Sequence, residues 1–227
     1  MATKSGERAI REAIVEAYRV LGELGLNTGS SGNISVRAGN GMLITPTGCT
    51  PETLRAQDIV LCSLDGAFKG PLAPSSEWAM HAEVYARIDA AKAVVHTHAD
   101  NCVALSCFRK PIPAFHYMVR SFGGKDVPCV AYHPFGTRRL GAAAVKALEH
   151  WTACLLANHG MLARGATLHD AFEATVRLEA IARQYRMALS IGSPTILTDR
   201  QMAVVAKQFE DYGKQPRAKV KRRWMVP

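Results

Sequence analysis

Residues 91–100 read "AKAVVHTHAD". Residues 92–98 are short, rich in valine, and bounded by a helix-like alanine segment and a polar turn, which is the pattern of a β-strand. Side chains alternate faces along a strand, so His96 and His98 project from the same side. Two imidazoles fixed on one rigid element suit a metal ion, which needs nitrogen ligands at about 2.0–2.1 Å in set directions. The pair alone is a weak signal, because a bare H-x-H also arises at a solvated strand end.

On the N-terminal side of this strand, apolar residues at Ile10, Ile14, Ala17, Tyr18 and Leu21 follow the 3.6-residue period of an amphipathic helix over 7–24, ended by Gly25. Two short strands follow, 34–37 and 42–45, joined through Gly39-Asn40-Gly41 as a hairpin. "DIVLCSLDGAFKG" repeats that pattern around an Asp65-Gly66 turn. From Ser75 the period changes, and "SSEWAMHAEVYARI" reads as a helix opened by a serine N-cap. Beyond the histidine strand lie a loop with Pro111 and Pro113, a strand in "VPCVAYH", a helix near 137–150 and a buried strand pair in "TACLLANHGMLARG". A long helix capped by Thr167 and a last helix near 199–212 complete the chain. Hairpin strands among helices, without regular βαβ alternation, point to an α/β fold with a mainly antiparallel sheet covered by helices.

A length of 227 residues favours one domain, and 48% hydrophobic with 21% charged residues excludes a disordered chain. One catalytic-sized domain over 1–213 is expected, followed by a basic tail over 214–227. The N-terminal segment mixes acids and bases through its apolar positions, so it resembles neither a secretory nor a transit peptide, and no run approaches the roughly 20 apolar residues of a membrane helix. Six cysteines without C-x-x-C spacing suggest reduced thiols in the cytoplasm. The net charge of +9 is concentrated in the tail, where six basic residues fall within the last fourteen. Without interleaved aromatics or a recognisable module, that run predicts no nucleic-acid partner. An anionic small molecule is equally compatible with a positive field.

Three further places offer partners for the histidines. His159 in "ANHGM" ends an apolar run before Gly160, where a turn can aim it at a neighbouring strand. Glu77 in "PSSEW" lies at a helix start beside Ser75 and Ser76, whose hydroxyls and the helix amides make an anion site; ordinary capping would look the same. "SSGNIS" and "TPTG" place Asn33, Thr47 and Gly48 in turns that can cradle a phosphate, though turn chemistry explains each alone.

Together, G-N-I-S (32–35), T-P-T-G (45–48), S-S-E (75–77), H-x-H (96–98) and N-H-G (158–160) resemble, in order and spacing, the class II aldolase/adducin family. The resemblance continues through "IPAFHYM" (112–118), "FGTRRL" (135–140) and "FEDYG" (209–213) and so spans nearly the whole chain. It implies a three-layer α/β/α domain and a cyclic homotetramer with active sites between subunits, each holding one Zn²⁺ on His96, His98 and His159. Glu77 would be the catalytic acid/base at C3 of a sugar phosphate and a possible fourth ligand in the empty enzyme. Tyr117, reaching over from the next subunit, would handle the C4 hydroxyl proton.

The same resemblance implies phosphate binding by Asn33, Thr47, Gly48, Ser75 and Ser76, and an aldehyde-side pocket lined by Phe135 and Tyr212. Arg120 and Phe122 depart from the family pattern near Tyr117, which leaves the aldehyde open between lactaldehyde from fuculose 1-phosphate and the product of a 5-deoxy- or 5-methylthio-ribulose 1-phosphate. The implied reaction is reversible cleavage of a ketose 1-phosphate to dihydroxyacetone phosphate and an aldehyde. Decarboxylation, dehydration or epimerisation of a sugar or sugar-acid phosphate through the same zinc site is the alternative chemistry. Epimerases of the superfamily typically carry aspartate at the position of Glu77. A non-catalytic adducin-like binding domain is the alternative of another class, against which the intact histidine triad and Glu77 argue.

Overall fold

The computed structural model describes residues 4–212; the basic segment 214–227 lies outside them. Seven strands form one sheet: β1 (Asn33–Ala38), β2 (Gly41–Ile44), β3 (Val60–Ser63), β4 (Ala93–Thr97), β5 (Cys129–Val130), β6 (Ala153–Leu156) and β7 (Gly160–Gly165), in the spatial order β3-β2-β1-β4-β7-β6-β5. Every pairing is antiparallel except β5 with β6. The histidine strand is therefore central, flanked by β1 and β7.

Among the described residues six α-helices accompany the sheet: α1 (Lys4–Glu23), α2 (Trp78–Arg87), α3 (Asp100–Ser106), α4 (Arg138–Leu148), α5 (Leu168–Ile191) and α6 (Asp199–Asp211). Alternation along the strands divides the core in two. Ala93 and Val95 of β4, with Met161 and Ala163 of β7, join a cluster with Tyr18 and Leu21 of α1, Cys102 of α3 and Leu178 of α5. Val94 and Leu162, one residue out of phase, join Met80, Val84 and Tyr85 of α2 with Leu140, Ala144 and Leu148 of α4. Helices thus cover both faces, which gives the three layers expected. The parity also sends His96 and His98 toward the α2/α4 side of the sheet.

The structure corrects several local readings. Helix α2 begins at Trp78 rather than at a serine cap, and Glu77 occupies the N-cap without using its side chain there (φ −100°, ψ 14°). Its carboxylate is committed elsewhere, as described below, while the Ser75 hydroxyl accepts the Glu77 amide at 3.2 Å. The polar turn after His98 contains α3, a seven-residue helix too short to show a period. "VPCVAYH" contributes only two strand residues, because Pro128 and Pro134 interrupt an edge segment. The second hairpin reduces to a single bridge between Cys62 and Phe68.

Candidate active site and metal centre

Four side chains from three parts of the chain converge at one end of the sheet. His96 lies near the end of β4 and His98 just past it; His159 follows β6 in the tight turn to β7; Glu77 precedes α2. The turn works because Asn158 takes a left-handed conformation at φ 53°, and because Gly160 has no side chain. A Cβ at Gly160 would lie 2.4 Å from the Thr97 carbonyl oxygen. Helix α3 then ties the two histidine segments together, with Ser106 accepting the Asn158 amide on its carbonyl at 3.2 Å and the His159 amide on its hydroxyl at 3.3 Å.

The ligating atoms of Glu77, His96, His98 and His159 all lie within 4.8 Å of one another. His96 Nε2 is 3.0 Å from His98 Nε2 and 2.8 Å from Glu77 Oε2, and Glu77 Oε1 is 3.5 Å from His159 Nε2. The three imidazoles stand edge to face, with ring centroids 4.8 to 5.0 Å apart. His96 donates from Nδ1 to the Met161 carbonyl at 2.7 Å, which orients its Nε2 toward the shared centre. Glu77 is buried, and its Oε1 has no hydrogen-bond partner.

An orphaned buried carboxylate oxygen among three converging imidazole nitrogens is a poor arrangement without a cation, because lone pairs face each other with too few protons to share. One divalent metal ion would satisfy these donors, and the three-nitrogen, one-oxygen set fits such an ion. The electrostatics agree. Burial opposes charge on His96, but Glu77 and the Met161 carbonyl outweigh it and raise its pKa. Burial would raise the Glu77 carboxyl; the charge and hydrogen bond of His96, with His159 and His81, instead hold it well below the usual carboxylate range. Burial, helped by His96, pushes both His98 and His159 down to about 4.

Beside this centre opens a cleft of about 350 Å³. Asn33, Thr47, Gly48, Ser75, Ser76, Glu77, His98, His159 and Phe135 all line it, so the turns singled out in the sequence meet in space. The cleft also takes in Ser30, Ser31, Tyr132, His133 and Asn158, which sequence reasoning did not single out as site residues. Ser30 and Ser31 adjoin the G-N-I-S motif, and proximity to it was the available signal. Tyr132 and His133 were hidden inside a segment read as strand. Three expected residues are elsewhere in the chain. Tyr117 stacks on His116 with ring centroids 4.7 Å apart and is half-exposed; Arg120 and Tyr212 line a separate groove with Phe209.

Fold and site together present a mixed sheet whose one end carries a histidine–carboxylate cluster that could hold a metal ion. Residues 12–186 match the family described as Class II Aldolase and Adducin N-terminal domain, and the chain belongs to that family. It is 46% identical over 205 residues to a 5-methylthioribulose-1-phosphate/5-deoxyribulose-1-phosphate aldolase of Rhodospirillum rubrum, covering 90% of this chain and 93% of that one. To an L-fuculose phosphate aldolase of Escherichia coli it is 40% identical over 201 residues, covering 88% and 94%. A solved structure titled L-fuculose 1-phosphate aldolase superposes with a TM-score of 0.85 at 36% identity, covering 92% of this chain and 98% of that one.

Proposed function

We propose that the chain is a zinc-dependent aldolase that reversibly cleaves a ketose 1-phosphate into dihydroxyacetone phosphate and an aldehyde. The observation that carries the reading is the single cleft in which a metal-competent cluster adjoins a cradle of hydroxyls, amides and glycine turns. Relatives of both substrate classes match over most of the chain, at 46% and 34% identity for 5-methylthioribulose-1-phosphate/5-deoxyribulose-1-phosphate aldolases and at 38 to 41% for L-fuculose phosphate aldolases, so both ketose 1-phosphates stand as candidate substrates.

Breaking the C3–C4 bond leaves an electron pair on C3, and its charge must be spread before the aldehyde can depart. When bound by His96, His98 and His159, zinc supplies Lewis-acid stabilisation of that charge. Glu77 delivers a proton to C3 in cleavage and removes it in synthesis. Its burial keeps water from competing for that transfer, and its place beside α2 fixes its direction. Asn33, Thr47, Gly48, Ser75 and Ser76 hold the phosphate and so set the register of C3 against Glu77. Phe135 borders the aldehyde side, with Tyr132 and His133 on the same wall.

Tyr117, Arg120 and Tyr212 are placed in this scheme on a neighbouring subunit of a cyclic homotetramer, with Tyr117 taking the C4 hydroxyl proton. None of the three lines its own chain's cleft, which accords with that assignment. A cytoplasmic setting belongs to the proposal as well. All six cysteines are free, Cys107 is exposed, and among the described residues no helix is long and apolar enough to cross a membrane.

The deciding experiment incubates the zinc-loaded protein with dihydroxyacetone phosphate and a panel of aldehydes, then identifies condensation products. A ketose 1-phosphate from acetaldehyde or a methylthio-aldehyde supports the reading, and absence of any carbon–carbon bond formation rejects it.

A further inference from the structure

Behind the cleft wall lies a buried chain of polar groups with a defined polarity. Asn33 and Ser35, two residues apart on β1, face His81 and Tyr85, four apart on α2. His81 Nε2 is 2.6 Å from Asn33 Oδ1, His81 Nδ1 is 2.7 Å from Ser35 Oγ, and Ser35 Oγ is 2.8 Å from Tyr85 Oη. His81 and Ser35 are wholly buried, Tyr85 and Asn33 nearly so. Burial pushes the His81 pKa down to about 3, so the ring is neutral and carries one proton.

The orientation of the Asn33 amide, with Oδ1 toward His81, fixes the position of that proton. An amide oxygen can only accept, so His81 Nε2–H donates to Asn33 Oδ1; Nδ1 must then accept from Ser35, whose oxygen in turn accepts from Tyr85. With Oδ1 occupied by His81, the planar amide presents its other branch, the NH₂ of Asn33, to the cleft that Asn33 lines. The opposite sense would turn an amide oxygen toward the same space and repel an anion.

We infer that His81 is a positioning residue, held by Ser35 and Tyr85 as the Nε2–H tautomer so that it locks Asn33 with its amide donor facing the substrate's phosphate. The inference rests on the phosphate-binding reading of the cleft. His81 touches neither substrate nor metal; it acts by removing the freedom of Asn33 to flip.

Two measurements test it. In the metal-loaded protein, His81→Phe keeps a planar ring but loses both nitrogens, and should raise KM for dihydroxyacetone phosphate in C3 proton exchange by about 10- to 100-fold, the worth of a hydrogen bond to a charged group, with kcat little changed. Asn33→Ala should do the same, the double variant should add little, and His81→Gln, which keeps an amide donor, should recover most of the loss. If Asn33→Ala raises KM and His81→Phe does not, the positioning role is overturned while the phosphate cradle stands. If neither changes KM, both fail. Independently of any variant, ¹⁵N NMR of histidine-labelled wild type should show His81 protonated at Nε2 and bare at Nδ1. The reverse assignment would overturn the proposal.

Discussion

Glu77 lies between two histidines, with Oε2 2.8 Å from His96 Nε2 and Oε1 3.5 Å from His159 Nε2. These contacts join the segment before α2 to two neighbouring strand ends, so the carboxylate lies against the cluster whether or not it ligates. Glu77→Gln keeps the shape and removes the proposed base. C3 proton exchange of dihydroxyacetone phosphate with solvent is expected to fall by about 10²-fold or more while metal content stays near wild type. Unchanged exchange would move the base to another residue.

Each of His96→Ala, His98→Ala and His159→Ala is expected to lose bound metal and turnover together, since a site with one donor missing no longer closes around the ion. Metal analysis after gel filtration reads the outcome directly. A variant that keeps full metal and full activity would remove that histidine from the ligand set.

The pKa shifts fix a pH dependence for the metal-free protein. His81, His98 and His159 are depressed in the fold, to about 3, 4 and 4. Below their unfolded value of about 6.5 the unfolded chain takes up protons that the folded chain refuses, so stability present above that pH is lost as it falls. Glu77, also depressed, adds a loss at more acidic pH, through and below the ordinary carboxylate range. His96 is raised and works in the opposite sense, its contribution being full below the ordinary histidine range and lost as pH rises through its folded value. Three groups against one predict lower stability at pH 5 than at pH 7 for chelator-stripped protein, measured by urea denaturation. Equal midpoints would show that the histidines are charged inside the fold.

Much of this site could be read from the residues because it obeys local rules. His96 and His98 share a face by strand parity, and the amphipathic stripe of α1 puts Tyr18 and Leu21 in the core as the period requires. Glycine turns marked the loops that line the cleft. What escaped depends on distant partners. Helix α3 is too short to announce itself; two amides of its first turn, on Asn101 and Cys102, are accepted at 3.1 and 3.0 Å by Glu179 of α5, 78 and 77 residues away. Glu77 fails as a simple capping glutamate for a related reason, since the histidines that claim its carboxylate come from strands far along the chain.

That remote cap yields its own test. Glu179→Ala would leave two α3 amides and the Asn101 side chain without their acceptor, a cost of about 1–3 kcal/mol. Because α3 holds the turn that carries His159 through Ser106, metal affinity is expected to weaken as well. A variant with reduced stability and wild-type metal affinity would disconnect α3 from the centre.

Gly160→Ala probes the strand turn itself. The added methyl would press on the Thr97 carbonyl and come within 3.1 Å of His98 Cδ2. Forcing β7 away from β4 at that point is expected to destabilise the fold by about 1–3 kcal/mol and to lower metal content. Wild-type metal occupancy in a folded variant would show that the pair of strand ends tolerates separation.

The one parallel pairing, β5 with β6, requires the chain to leave one strand, run through α4 and return beside it. Tyr132, His133 and Phe135 occupy the outgoing leg of that excursion, at the carboxyl end of a parallel strand where open sheets usually receive ligands. The metal donors belong to other segments, anchored in the sheet or at the start of α2. On the proposed function, the bond-breaking groups and this part of the aldehyde-side wall therefore sit on separate stretches of chain. A graft of residues 131–136 from a relative that acts on another aldehyde should shift preference while leaving the metal donors in place, which makes that six-residue passage one place where this scaffold can diversify.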